Sequence, residues 1–229
     1  MKIIIHGCNG KMGRVLAEIS VKDPDIQILC GIDISVNTQL PNLPFPVFSN
    51  LDHQTYAADV VIDFTHPSSL KHLLGWCILT GTPLVIATTG FNPEDHRIIQ
   101  EASKQIPVFQ TANMSLGVNV LCKLLKILSS IVEKDFDVEI VEKHHKNKVD
   151  APSGTALMLA NALGHDCPTH SIRAGTIPGE HTVIVAGPDE IIELTHIALS
   201  RGIFARGALS AARFLIKQKP GLYSMEDLM

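Results

Sequence analysis

Aromatic residues are scarce in this chain of 229 residues: one Trp, two Tyr and eight Phe make up 5% of it. Positive charge is in deficit as well. Nineteen Lys and Arg stand against 23 Asp and Glu, giving a net charge of −4 and an isoelectric point near 6.2. The molecule as a whole is therefore not built to coat DNA, RNA or anionic lipid, and any basic patch must be local. The five cysteines, Cys8, Cys30, Cys77, Cys122 and Cys167, are odd in number and never form C-x-x-C. This argues against a disulfide scaffold or zinc ribbon and fits a reducing compartment. No apolar run approaches the roughly 18 residues of a spanning helix. The opening MKIII meets His6-Gly7 too soon to be a signal peptide. The expectation is a soluble, cytoplasmic protein with no membrane or nucleic-acid partner.

The chain does have apolar content, 45% of residues, enough for one large or two modest cores. In the first half, short β-branched runs alternate with helical periods. KIIIHG, IQILCGID, DVVIDFT, PLVIATTG and IPVFQTAN read as strands, and the segments after the first, third and fourth read as helices. Such alternation predicts a parallel sheet covered on both faces. SVNTQLPNLPFP is polar and proline-rich, hence a loop. Near residue 115 the pattern changes. SLGVNVLCKLLKILSSIVEK is a long helix, whereas DFDVEIVEKH and HTVIVAGPDEIIELTHIAL alternate apolar and polar residues, as antiparallel strands with one exposed face do. The fold class expected is α/β, with a parallel N-terminal domain over 1–114 and an α+β domain with a mainly antiparallel sheet over 115–202. A terminal helix within 203–229 is expected to pack back on the first domain.

Two segments carry chemistry. HGCNGKMG lies between the first strand and its helix, with Gly7, Gly10 and Gly13 three apart and Asn9 where a second glycine is commoner. Backbone N–H groups there, with the helix N-terminus, would face a pyrophosphate. Asp33 ends the second strand at the distance where a carboxylate binds a ribose hydroxyl. A carboxylate there repels a 2′-phosphate, and Ile34 follows instead of an arginine, so NADH is expected in preference to NADPH, although Lys11 and Arg14 flank the turn. An ordinary strand-to-helix turn is the plain alternative. Three further strand ends, Asp63-Phe64-Thr65, Ala87 to Phe91 and Thr111 to Ser115, present small or hydroxylated residues where ligands of such sheets bind.

The second segment is EKHHKNKVDAPSGTA, residues 142–156, with two adjacent histidines, three lysines and a Ser-Gly-Thr turn. A metal site is disfavoured, because lysines repel a cation and no carboxylate or cysteine stands at ligand spacing. Ser153 lacks the G-x-S-x-G setting of a nucleophile. A solvated lysine-rich loop is the plain alternative. Against it, Pro152-Ser153-Gly154-Thr155 opens an apolar helix whose free N–H groups form an anion cradle, with lysines and histidines just upstream. The implied ligand is a small carboxylate, and a histidine or lysine there could give a proton while a hydride arrives from the cofactor.

Together, GCNGKMG, VVIDFTHPSS, ATTGF, NMSLGVN, HHKNKVDAPSGTA and IRAGTIPGEHTVIVAG resemble the 4-hydroxy-tetrahydrodipicolinate (dihydrodipicolinate) reductase family, nearly end to end. The resemblance implies a Rossmann domain, a substrate-binding domain, assembly as a homotetramer through the second sheet, and NAD(P)H-dependent reduction of a cyclic dicarboxylate in diaminopimelate and lysine biosynthesis. It implies His144 as proton donor and acceptor, Lys148 as second proton donor, and His145 with Gly154 and Thr155 as substrate contacts. Gly7, Cys8, Asn9, Gly10, Lys11 and Met12 match the pyrophosphate loop and Asp33 the ribose ligand. Ala87, Thr88 and Thr89, with Thr111, Ala112, Asn113 and Met114, match the nicotinamide side. No metal is implied. The chain departs from the family pattern in its shorter length, with a trimmed stretch after the first helix, in Ala87 for a common glycine and in Met114 for a common aromatic. A non-catalytic Rossmann redox sensor and a related two-domain dehydrogenase are the alternatives.

Overall fold

The computed structural model describes residues 1–35, 44–52, 57–130, 135–164 and 166–229. Most of the loop expected over 35–46, and the end of the long helix expected to reach 134, lie outside the described residues. The chain divides into two compact units, Met1–Met114 with Phe204–Met229, and Ser115–Ile203.

In the first unit, β1 (Lys2–His6), β2 (Gln27–Ile32), β3 (Val47–Phe48), β4 (Val60–Asp63), β5 (Leu84–Ile86), β6 (Pro107–Gln110) and β11 (Gly221–Tyr223) form one sheet in the order β11-β6-β5-β4-β1-β2-β3. Every pairing is parallel. The central strands read as continuous apolar runs because both faces are covered. One face packs Ile3, Ile5, Ile62, Val85 and Phe109 against α1 (Lys11–Ser20) and α6 (Gly202–Leu215). The other packs Ile4, Val61, Leu84 and Val108 against α2 (Leu70–Thr80) and α3 (Pro93–Ser103). A Cβ on Gly207 of α6 would stand 1.7 Å from the Met114 carbonyl oxygen, so only glycine lets that helix approach. The last strand and helix, β11 and α7 (Met225–Leu228), close the unit.

The second unit holds β7 (Asp137–His144), β8 (Thr169–Arg173), β9 (Glu180–Ala186) and β10 (Ile191–Ile197) in the order β10-β9-β7-β8. β10 to β9 and β9 to β7 are antiparallel, but β8 runs parallel to β7. A parallel neighbour needs a crossover, and α5 (Gly154–Leu163) supplies it. With α4 (Leu116–Ser129), α5 covers one face of the sheet through Leu121, Leu125, Leu159 and Leu163. The two-residue period of strands puts Ile140, Glu142 and His144 on that same face, and likewise Val185, Val183 and His181. The covered face thus changes from aliphatic to polar along its length, and the polar end is where β7 stops.

Candidate active site

The turn after β1 is shaped for close approach. Gly7 has φ +83°, and a Cβ there would meet the Phe64 carbonyl oxygen at 2.6 Å. A Cβ on Gly13 would stand 2.0 Å from the Gly7 carbonyl oxygen, so the third glycine lets α1 press against the turn. Gly10 precedes α1 without capping it by a side chain, which leaves N–H groups at the start of the helix for an anion. These features fit a dinucleotide pyrophosphate. Asn9 acts as a strut: its N–H donates to Asp33 Oδ2 (2.9 Å), its Nδ2 donates to the Ser35 carbonyl (2.7 Å), and its own carbonyl accepts from Arg14 Nε (2.8 Å). Asp33 Oδ1 accepts from the Ser35 N–H at 2.9 Å, so the carboxylate is held firmly beside the turn. Cys8 is fully buried, Lys11 exposed and Met12 half-buried.

At the ends of β1, β4 and β5 a buried network surrounds Asp63. His6 Nδ1 and Thr65 Oγ1 meet its Oδ1 at 2.7 and 2.6 Å, and Thr88 Oγ1 donates to Oδ2 at 2.7 Å. Thr88 Oγ1 also accepts from the Thr65 N–H (2.9 Å), so its hydroxyl ties two strand ends together. Thr89 is exposed and Ala87 half-buried. Thr111 Oγ1 folds back on the Asn113 backbone, and Ala112 is exposed. The Met114 side chain lies in the core with α6, 3% exposed. His6 was not singled out by sequence spacing, although its place directly before Gly7 put it at the strand end.

In the second unit, Ser153 caps α5, its Oγ accepting from the Ala156 N–H at 3.2 Å. The Ala151–Pro152 peptide just before it is cis. Gly154 is exposed and Thr155 half-buried in the first turn. Beneath that turn lies Glu142, fully buried. Its Oε1 accepts from the Ser153 N–H (3.1 Å), Ser171 Oγ (2.7 Å) and Arg173 Nη2 (2.6 Å); its Oε2 accepts from Arg173 Nη1 (2.8 Å) and meets His144 Nδ1 at 2.5 Å. Burial alone would raise the Glu142 pKa, but the hydrogen bonds from Arg173, Ser171 and His144 hold it down to about 2. Burial lowers the His144 pKa. Glu142 opposes that fall, and the nearby Lys148 and Arg173 charges add to it.

His181 stands across from Glu142 on β9 and His196 across from His181 on β10, forming one row over the sheet. The His144 and His181 rings meet edge to face at 5.0 Å. His181 Nε2 touches Ser153 Oγ at 2.9 Å, and burial first, then the His144 charge, push its pKa down to about 4. His196 Nε2 meets Ser115 Oγ, the cap of α4, at 3.3 Å. In the loop above, Lys148 Nζ pairs with Asp150 Oδ1 at 2.8 Å, and His145 is half-buried. The structure therefore brings His144, Lys148, Gly154 and Thr155 into one loop-and-helix segment and adds Glu142, Arg173 and His181 to it. The signal for Glu142 was its place two residues before His144 in an alternating strand. Among the described residues, no three His, Cys, Asp or Glu side chains converge as a metal site, and no helix is long and apolar enough to cross a membrane.

Comparison with known proteins bears on both units. The model of the dihydrodipicolinate reductase N-terminus matches residues 1–114, and that of its C-terminus matches residues 117–229. A 4-hydroxy-tetrahydrodipicolinate reductase of Caldanaerobacter subterraneus subsp. tengcongensis is 47% identical over 251 aligned positions, covering 100% of this chain and 98% of the relative. One from Clostridium tetani is 45% identical over 250 positions, covering 100% and 97%. Those alignments are longer than the chain's 229 residues, so the relatives carry positions that this chain lacks. Among solved structures, a dipicolinate-bound dihydrodipicolinate reductase from Paenisporosarcina sp. TG-14 superposes with a TM-score of 0.87 at 24% identity, covering 100% of this chain and 99% of the other. A probable dehydrogenase from Thermotoga maritima shares the fold at a TM-score of 0.69 and 11% identity, covering 100% and 92%. With both halves matched and close relatives along its whole length, the chain belongs to the dihydrodipicolinate reductase family, NAD(P)H-dependent oxidoreductases of amino-acid biosynthesis.

Proposed function

We propose that this chain reduces 4-hydroxy-tetrahydrodipicolinate to tetrahydrodipicolinate, with release of water, on the route to diaminopimelate and lysine. The observation that carries this is the meeting, at the end of β7, of a fixed imidazole, an ammonium group and the solvent-facing first turn of α5, whose Gly154 N–H now bonds the Asp150 carboxylate that a substrate carboxylate would displace. A ring bearing two carboxylates needs an anion cradle and a proton source in one place, and this segment offers both. When bound, the reduced nicotinamide supplies a hydride. The chain's own part is to place substrate and deliver a proton. Gly154 and Thr155 hold one substrate carboxylate on helix N–H groups, and His145 lines the same loop. His144 Nε2 and Lys148 Nζ are the proton donors. A substrate carboxylate that reaches Lys148 takes over the cation now paired with Asp150.

The 1–114 segment, with 203–229, holds the cofactor; 115–202 binds substrate and joins subunits into a cytoplasmic homotetramer. Gly7 to Met12 cradle the pyrophosphate, while Ala87 to Thr89 and Thr111 to Met114 border the nicotinamide. NADH is preferred over NADPH: Asp33, held beside the turn by two backbone N–H groups, would repel a 2′-phosphate on a ribose bound there. Comparing kcat/KM for the two cofactors tests this, and a strong NADPH preference sinks it. The reaction itself is tested by mixing the chain with freshly made product of the preceding synthase and following loss of reduced nicotinamide by absorbance. No oxidation above background would overturn the proposal. Lys148→Ala should lose most of the turnover, about 10²-fold, yet still bind NADH. A redox sensor would be indifferent to that change.

A further inference from the structure

Among the described residues of the second unit, Glu142 is the only carboxylate that is buried. An ionised carboxylate is strongly disfavoured inside a protein unless its lone pairs are used. Here three groups donate to one oxygen and two to the other. Stability alone does not call for such a cluster, since an apolar replacement of similar volume is often no less stable. What the cluster does provide is common fixation of three parts: the imidazole of His144, the guanidinium of Arg173, and the first N–H of the α5 turn. No other described carboxylate reaches His144.

We infer that Glu142 is a positioning residue for proton transfer: it holds His144 with the proton on Nδ1, leaving Nε2 as the atom that exchanges a proton with substrate, and it anchors Arg173 and the Ser153 turn to the same strand end. Its role in turnover rests on the reductase activity proposed above. Nε2 lies under Gly179, where a Cβ would come within 3.1 Å of it, so a side chain there would crowd the nitrogen. Around His144 stand Glu142 from its own strand, Arg173 from β8, His181 from β9 and Lys148 from the following loop. Of these, only Glu142 favours the imidazolium; burial and the two cations disfavour it. Without the carboxylate, His144 would hold its proton only at lower pH.

The test is Glu142→Gln, which keeps the shape but removes the charge and can turn an amide N–H toward Nδ1. We expect kcat to fall about 10²-fold. The pH at which kcat declines on the alkaline side should move lower, because the donor loses its proton sooner. Glu142→Asp should restore the pH midpoint in part. A residue needed only for packing would lower the melting temperature and leave that midpoint in place. In the unaltered chain, long-range proton–nitrogen NMR should find neutral His144 protonated at Nδ1. Normal turnover and pH profile in Glu142→Gln, or a native His144 protonated at Nε2, overturns the inference. If the variant does not fold, the native tautomer decides alone. His144→Gln separates the two claims: full activity in that variant removes the proton-donor role itself. Loss of activity there, beside a normal Glu142→Gln, removes only the positioning role.

Discussion

Replacing Arg173 by methionine should destabilise the second unit in a way that depends on pH. Arg173 gives Glu142 two of its five hydrogen bonds. With them the Glu142 carboxyl sits at about 2, against an ordinary 4.5. A depressed carboxyl stabilises the fold above the unfolded value and loses that contribution as pH falls toward the folded one. The shift corresponds to about 3 kcal/mol at neutral pH, of which about 2 kcal/mol is gone by about pH 3. In Arg173→Met the carboxylate stays buried with its principal cation removed, a loss of about 3–5 kcal/mol at neutral pH. Its pKa then rises, so the variant sheds the unpaired charge by taking up a proton in acid. The stability gap between the two proteins should therefore narrow by about 2 kcal/mol between about pH 7 and about pH 3. Urea unfolding followed by far-UV circular dichroism measures it, with hydrogen exchange at β7 and β9 assigning the transition. Trp76 fluorescence would not serve, because that residue lies in the first unit. A gap that is the same at both pH values refutes the reasoning.

Two further outcomes follow from the first unit. Gly13→Ala places a methyl group 2.0 Å from the Gly7 carbonyl oxygen, so the turn must move; overpacking of this kind costs about 1–3 kcal/mol, and titration should show NADH affinity at least about tenfold weaker. Asp63→Asn leaves the acceptor shared by His6, Thr65 and Thr88 with an amide in place of one oxygen. A loss of about 1–3 kcal/mol should appear in thermal melts, and an unchanged midpoint would remove the network from the stability account.

Much of the first sheet was legible in the sequence because buried parallel strands are apolar on both faces and stop at glycine or at polar turns. β1, β2, β4, β5 and β6 all carry that signature. The edge strands β3 and β11 do not, being only two and three residues long. β8 was also missed: Thr-His-Ser-Ile-Arg is polar and mostly exposed, with no alternation to find. Without β8 nothing paired Arg173 with Glu142, so the role of Arg173 stayed open, and Glu142 was hidden by its own chemistry, since a charged residue in an alternating strand ordinarily points to solvent. The alternation did carry the information. Glu142 shares a face with Ile140 and His144, so a carboxylate inside the sheet-helix layer followed once β7 was placed.

The parallel pairing of β8 with β7 has a consequence for how this chain can change length. Among the parallel strands of each unit, direction gives an exit end, where the chain leads on toward a helix N-terminus, and an entry end, where the chain returns. In both units the polar and glycine-bearing chemistry described above gathers at exit ends, beyond His6, Asp63 and His144. The return from α5 to β8 lies at the entry end. Residues can be removed there without moving any group at the exit, and a chain with fewer positions than its relatives can keep the whole reacting layer intact.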